Sequence, residues 1–388
     1  MKNLLALLLM ITQLLSCKNN KTMEEKYEWG AGISTEIGFP VRIYAGRVGD
    51  MSIMSGFTAS LDKPDDGWGV GYSEGSMKKH LPKDLDIVWL SYVEDCFYRV
   101  KGNLDYVKIL SLFREGFKYR VGNLEAYPTG YREVTYNTIV VGLAPGGTVV
   151  VWISGLGRQI EIGRFQAEKI ELKQPEGLDS HESLIFSKEE RERVLSNKLA
   201  RPPHIAEKPT PYGLWDSYRD IKYPWYPTFE FFSGAKMGDF FIEFFNKEKW
   251  DVFYDKMALE TPARKDYSSD AITLIPDIFY QKGEDVSEKE RPLPKRIGFG
   301  YKANNDTKYW GYYEFDWEET KEVFAEYFDK YPNTRARLNV RVNKINTLFT
   351  IRLENEKGDG VFIPFHREKL RLIAQKSNDT RIPPLNNY

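Results

Sequence analysis

The stretch Tyr136-Asn137-Thr138-Ile139-Val140-Val141-Gly142-Leu143-Ala144-Pro145-Gly146-Gly147-Thr148-Val149-Val150-Val151-Trp152-Ile153-Ser154 decides the fold class. Two β-branched runs, Thr138 to Val141 and Thr148 to Ser154, flank a Pro-Gly-Gly centre, the pattern of two strands joined by a tight turn. The same glycines have the spacing of a phosphate-binding loop. Such a loop needs a lysine and an ensuing helix to meet the phosphate charge, and here Thr148 stands in the lysine's place with a strand behind it. The stretch is a hairpin, and nothing in it cradles a nucleotide.

Outward from this hairpin, Val41 to Tyr44, Asp86 to Tyr92, Cys96 to Val100 and Gln159 to Phe165 read as further strands bounded by turn residues. Between them lies one helical pattern, with Asp105 as N-cap and Val107, Leu110, Phe113 and Phe117 at three- and four-residue spacing. The order predicts an α+β fold of mainly antiparallel β-sheets, each covered by a helix. A first domain spans 27–173. Residues 174–212 lose the pattern, with a charged run at Lys188 to Arg193 and prolines at 202, 203, 209 and 211, and read as a linker with one short helix. A second domain spans 213–374, and 375–388 is a tail.

The second domain replays landmarks of the first. Trp29 and Phe39-Pro40 find counterparts in Trp215 and Tyr226-Pro227, Gly49-Asp50 in Gly238-Asp239, and Leu81-Pro82-Lys83 in Leu293-Pro294-Lys295. Asp105, Tyr106, Leu112 and Phe113 are answered at the same mutual spacing by Asp316, Trp317, Val323 and Phe324, where Asp316 and Glu319 form a capping-box pattern. Phe165, Glu168, Lys169 and Leu172 are matched by Phe365, Glu368, Lys369 and Leu372. An internal duplication is the expectation.

Residues 1–16 have the layout of a secretory signal: Lys2, an apolar run from Leu4 to Leu15 broken only by Thr12 and Gln13, and a small residue at Ser16. The run is too short to span a bilayer, which takes about 20 apolar residues. Leu14-Leu15-Ser16-Cys17 resembles the lipobox of bacterial lipoproteins, which implies cleavage before Cys17 and a diacylglyceryl group on its sulfur. Residues 17–26 then form a polar tether, and the expected location is the cell envelope, periplasmic or surface-facing, with the membrane as the partner of lipidated Cys17.

The 55 basic and 56 acidic residues are interspersed, so no electrostatic footprint for nucleic acid appears. His80, His181, His204 and His366 are scattered singly, which gives no metal spacing and no expected cofactor. Cys96, in a strand-like run, reads as a buried inert thiol, and a lipidated Cys17 leaves it no disulfide partner. No Gly-x-Ser-x-Gly elbow is present. The acidic pairs Asp65-Asp66, Glu94-Asp95 and Glu318-Glu319 read as turns or a solvated helix start rather than as paired catalytic carboxylates, so no catalytic residue is assigned. Aromatic stretches at Trp68 to Tyr72, Tyr223 to Phe232 and Tyr309 to Phe315 are core or, on one face, a stacking platform for a sugar or peptide. In the last, alternation puts Tyr309, Gly311 and Tyr313 on one face and Trp310 and Tyr312 on the other.

Tyr136 to Gly147, Gln159 to Phe165 and Gly213-Leu214-Trp215-Asp216-Ser217-Tyr218-Arg219 resemble domain-of-unknown-function family 2931, whose members often begin Ser-Cys-Lys, as Ser16-Cys17-Lys18 does here. The resemblance covers most of the mature chain and implies no catalytic or binding residue. The expectation is a lipid-anchored, non-enzymatic binding module for a protein or glycan, acting through its sheet surfaces or the groove between its halves. Resemblance to small lipoproteins that neutralise toxic effectors implies an immunity-type version. The alternative is an envelope hydrolase of glycan or lipid with carboxylates from both halves, which requires two convergent acids, one of raised pKa. A structural envelope component is a third possibility.

Overall fold

The structure, a computed structural model, describes residues 25–61, 66–71, 75–120, 131–179, 182–231, 236–253, 266–268, 271–274, 289–303 and 307–375. The leader, Cys17, Asp65, Tyr72, His181, Phe232 and the tail beyond Gln375 lie outside the described residues.

The first half contains β1 (Lys26–Thr35), β2 (Val41–Val48), β3 (Met51–Ile53), β4 (Gly56–Thr58), β5 (Met77–His80), β6 (Asp84–Ser91), β7 (Cys96–Asn103), α1 (Tyr106–Glu115), β8 (Phe117–Arg120), β9 (Tyr131–Val134), β10 (Thr138–Ala144), β11 (Thr148–Gly155), β12 (Arg158–Gln166) and β13 (Glu168–Ile170). One set of neighbours runs β5, β1, β10, β11, β12, with β1 and β10 parallel and the rest antiparallel. The other runs β13, β7, β6, β2, β3, antiparallel throughout, with β4 also on β2. β8 and β9 form a separate ribbon.

Three short helices follow, α2 (Lys188–Ser196), α3 (Pro203–Ala206) and α4 (Leu214–Asp220). The second half holds β14 (Lys222–Phe231), β15 (Lys236–Phe244), β16 (Lys249–Phe253), β17 (Asp266–Ser268), β18 (Ala271–Leu274), β19 (Glu290–Pro292), β20 (Pro294–Lys302), β21 (Lys308–Glu314), α5 (Trp317–Lys330), β22 (Ala336–Val342), β23 (Phe349–Glu354), β24 (Gly360–Phe362) and β25 (Leu370–Gln375). β14 is parallel to β22, which continues to β23 and β24. β19 and β18 pair antiparallel with the two ends of β14, and β17 pairs with β18. β25, β21, β20, β15 and β16 are antiparallel neighbours. Two rungs, Arg158 with Trp250 and Gln159 with Lys249, join β12 to β16, so that strands of both halves share one ten-stranded sheet.

Each half buries its core between two sets of strands. In the first, Ala31, Ile43, Ile87, Val100, Ile139, Val151 and Ile162 meet. In the second, Phe229, Ile242, Phe299, Val340 and Leu353 do. The cover expected of a helix comes chiefly from the opposing sheet, with each helix adding a stripe: Ile109 and Phe113 from α1, Val323, Phe324 and Tyr327 from α5. Both helices start where the sequence places a cap. The Asp105 carboxylate accepts from Lys108 N at 3.0 Å, and Asp316 accepts from Glu318 N and Glu319 N. Of the predicted stripe, Phe113 and the following Phe117 are buried and Leu110 packs against the core, but Val107 is 77 % exposed and Ile109 is buried in its stead.

The 138–154 hairpin forms as read, with a 3-10 turn at Pro145–Gly147. Its glycines serve packing and turning. A Cβ on Gly142 would lie 2.6 Å from the Trp152 ring and 2.7 Å from the Trp68 ring, and Gly146 and Gly147 both have φ of 79°. The long apolar runs of β10 and β11 have a second cause. Val141 and Val151 face the sandwich core while Val140, Val150 and Trp152 face Trp68 and Trp215, so both sides of these strands are buried.

The segment read as a linker is well packed. A 3-10 turn at Glu182–Phe186 and helix α2 press Ile185 and Val194 onto Leu90, Tyr92 and Phe97, and Arg201 donates to Gly38 O at 2.6 Å. Among the sequence landmarks, Trp29 lies in a strand and Trp215 in helix α4. Trp225, like Trp29, is fourth in its strand, and both indoles donate across to a neighbouring strand, Trp29 to His80 O at 3.1 Å and Trp225 to Pro292 O at 3.2 Å. Gly49-Asp50 follows β2, whereas Gly238-Asp239 lies within β15.

Candidate functional site

Because Phe229, Phe231, Leu338, Val340, Val342, Ile351 and Leu353 point into the second core, strand alternation turns Thr228, Glu230, Arg337, Asn339, Arg341, Arg352 and Glu354 to the opposite face. Register sets these side by side: Thr228 opposite Asn339, Glu230 opposite Arg341, Arg337 opposite Glu354, and Asn339 opposite Arg352. β24 adds Phe362 beside Arg352 and Gly360 beside Glu354.

The result is a charged ladder. Thr228 Oγ1 donates to Asn339 Oδ1 at 3.0 Å, and Asn339 Nδ2 donates to Glu354 Oε1 at 2.9 Å. Arg337 Nη2 donates to the same Oε1 at 3.1 Å and to Asn355 O at 3.2 Å. Arg341 Nε donates to Glu230. Arg352 Nη1 stands 3.7 Å from Glu354 Oε2, and its guanidinium lies 4.6 Å above the Phe362 ring. Glu230, Glu354, Asn339, Thr228 and Arg337 are buried, while Phe362 is 59 % exposed. Burial pushes the Glu354 carboxyl above the ordinary carboxylate range against the pull of Arg337. Among the described residues, Arg337 Nε, Arg352 Nε and Glu354 Oε2 are buried without a hydrogen-bond partner.

A second constellation lies where the halves meet, at the turn between β15 and β16. Lys247 N donates to Phe244 O and Phe244 N to Glu248 O, both at 2.9 Å, which forces Lys247 into the left-handed region, φ 70°. Its buried ammonium is 2.8 Å from Glu243, and Arg296 Nη1 is 3.6 Å from the same carboxylate. Burial pushes Glu243 up, but Lys247, Arg296 and Lys295 outweigh it and hold the carboxyl far below the usual range. Burial and the neighbouring Lys247 push the Lys295 ammonium down to about 7. The turn is also bound to the first half. Trp152 Nε1 donates to Asn246 O, and Gln159 Nε2 to Lys247 O and Gly69 O, all at 3.0 Å. Asp251 N donates to Gly157 O at 2.7 Å.

Beside this turn, Glu248 Oε1 accepts from Glu161 N at 3.4 Å, and its carboxyl is pushed up by burial and by the Glu161 charge. Glu161 is forked by Arg164 at 3.1 and 3.0 Å, and Arg164 reaches Asp216 at 3.0 Å.

The structure places the sequence-selected residues mostly in structural roles. Trp68, Trp225, Phe229, Phe231 and Trp310 are buried, and Tyr313 donates to Pro364 O at 2.7 Å from the core face. Asp66 accepts from Leu61 N and Gly67 N as a turn. Glu94 accepts from Ser91 Oγ, Tyr98 OH and Gly146 N. Glu319 leaves its predicted cap role for His366, at 2.7 Å. Burial pushes the half-buried Cys96 thiol up. Among the described residues no His, Cys, Asp or Glu side chains gather in a group able to hold a metal, and no helix is long and apolar enough to cross a membrane. Neither the ladder nor the Glu243 cluster was found by motif. The available signal was the polar alternation of Arg337, Asn339 and Arg341, which by itself describes any solvated sheet face.

The fold is thus strand-rich, with several antiparallel sheets and few helices. A family model described as "Protein of unknown function (DUF2931)" matches residues 16–213, half of the chain, and the chain belongs to that family. The match ends at Gly213, short of the Leu214 to Arg219 words and of the whole second half, so it is narrower than the resemblance expected from sequence. No curated relative and no solved structure matches the chain at a significant level.

Proposed function

We propose that the protein is a lipid-anchored envelope module that binds a protein or glycan partner without transforming it, built from two copies of one strand-rich unit. The address rests on Leu14-Leu15-Ser16-Cys17 and the polar tether behind it. The duplication is supported by the matching pairing order of the halves, the Trp29 and Trp225 bonds, and the capped helices after β7 and β21. Leu104 N to Lys83 O at 2.8 Å and Phe315 N to Lys295 O at 2.9 Å add to it.

The observation that carries the binding reading is the state of the buried acids. Glu243 sits among cations, Glu161 is forked by Arg164, and Glu230 is held by Arg341. A carboxylate so paired is a poor general acid, because the cation favours its charged form. Glu248 and Glu354 are the exceptions, their carboxyls pushed up by burial, and Glu248 with Glu161 beside it supports a second reading, a hydrolase of envelope glycan or lipid.

The test is purification of the mature protein from native envelopes, with mass spectrometry of its N-terminal peptide and of co-purifying proteins. A peptide starting at acylated Cys17, loss of membrane association in Cys17→Ser, and one stoichiometric partner are expected. An unmodified Cys17 removes the address, and hydrolysis of envelope material that is abolished by Glu248→Gln replaces binding with catalysis. The immunity version further expects cells lacking the gene to die beside toxin-bearing neighbours, and their survival would sink it.

A further inference from the structure

We propose that the open edge of the first sandwich, between β3 and β5, binds a soft monovalent cation, Cu(I) or Ag(I), through the thioethers of Met51 and Met77 against the face of Trp29. The inference goes beyond the binding-module reading and does not depend on it.

Among the described residues, β5 ends one sheet of the first half and β3 ends the other. A contact between Lys79 and Met51 brings these two ends together. Register puts Met77 directly opposite Trp29 and Lys79 opposite Tyr27. Tyr27 packs on Phe113 and Trp29 is fully buried, so alternation turns Met77 and Lys79 to the same inner face, toward Met51. The bond from Trp29 Nε1 to His80 O pins the indole in place. Met51 is half-buried against the core and Met77 is 65 % exposed, so solvent reaches the site along the strand edge.

A cation is already held there. The Lys79 ammonium lies 4.3 Å from the Trp29 ring centroid and 2.9 Å from Met51 Sδ. Its partners are a sulfur and a π face, with no ion pair to a carboxylate, and burial pushes its pKa below the ordinary lysine value. A thioether is a weak hydrogen-bond acceptor and an ammonium is strongly hydrated, so these partners replace water poorly. A soft metal ion gains what the ammonium cannot. Polarisable sulfur gives it dative bonds, the preference that selects Cu(I), and the indole quadrupole attracts it as it does the ammonium. Hard divalent cations need several oxygen ligands and are not matched by these side chains. Lys79 is therefore the metal's competitor, and the ion takes its place when the flexible stem swings out from the edge strand.

The test is a titration with Ag(I), a redox-inert probe, of the full mature chain carrying Cys17→Ser and Cys96→Ser so that no thiol competes. Methionine methyl groups are followed by NMR. The Met51 and Met77 methyls are expected to shift together and saturate with a single ion per chain. Met54, an exposed thioether beyond the end of β3, and Met237, buried in the second core, should stay unmoved. Met51→Leu and Met77→Leu, which keep side-chain volume, should each weaken binding at least about tenfold. Lys79→Ala should tighten it severalfold, whereas a purely structural ammonium predicts no gain in silver affinity. Shifts at Met54 equal to those at Met51 and Met77 would mean thioether binding in general and overturn the site, as would affinity held within about twofold in both leucine variants. An unchanged or weaker affinity in Lys79→Ala also overturns it. None of these outcomes touches the partner reading, which purification from envelopes decides by itself.

Discussion

The two halves treat strands of matching pairing order in opposite ways. In the first, β10 and β11 turn Val140, Val150 and Trp152 away from the sandwich core, and Trp68 and Trp215 close over them. In the second, β22 and β23 turn Arg337, Asn339, Arg341, Arg352 and Glu354 the same way. Strand order and core are nearly indifferent to this choice, because alternation separates the two faces of a sheet. One face secures the fold, and the other is free to become a cover or a recognition surface.

The largest effect that tests this contrast is expected at Trp152, which is fully buried and bonded to Asn246 O. Trp152→Ala should cost about 4 kcal/mol in urea unfolding, and a loss under about 1 kcal/mol would mean that the apolar face is not a structural cover. Glu354→Ala should cost about 3 kcal/mol, since it strands Arg337 and Asn339. Replacing the pair, Arg337→Met with Glu354→Leu, should recover most of that loss. A double variant no more stable than the single one would make the ladder a requirement of folding rather than a device kept for binding.

Smaller effects sharpen the comparison. Asp105→Ala and Asp316→Ala should each cost about 1 kcal/mol, with Asp316 the larger because it accepts from two amides. Equal and negligible losses would show that the helices are held by packing alone. At Lys295 the effect is on pH dependence. Its folded-state pKa, about 7, lies below the ordinary lysine value of 10.5, so the unfolded chain binds more protons between them, and the group's contribution to stability rises with pH across that window. Lys295→Met should therefore be most stabilising at pH 6, with its melting-temperature advantage narrowing toward pH 8.5. A gap that widens instead contradicts this account of the junction.

What the sequence made legible was local. β-branched runs around Pro145-Gly146-Gly147 specified the hairpin, and Asp105 and Asp316 specified helix starts, because turn and cap preferences act within a few residues. Leu81-Pro82-Lys83 precedes β6, and Pro294 begins β20. Trp29 and Trp215, matched by type, lie in a strand and a helix, because a residue type carries no record of its element. The first position of the α1 stripe was missed for a related reason: Val107 and Ile109 fit the same apolar alphabet, and only the opposing sheets decide which is buried. The ladder and the Glu243 cluster depend on register between strands that are up to 111 residues apart, as Thr228 and Asn339 are. No short-range pattern encodes that distance.

The two rungs between β12 and β16 predict a slow breathing mode. Amides deep in β11 and β20 should exchange with solvent water only when their own half unfolds. Those at the junction, such as the Asp251 amide on Gly157 O, should exchange by a cheaper separation of the halves that leaves each core intact. A pulse of deuterium would then divide the ten-stranded sheet into two populations, marking a boundary that continuous backbone pairing conceals.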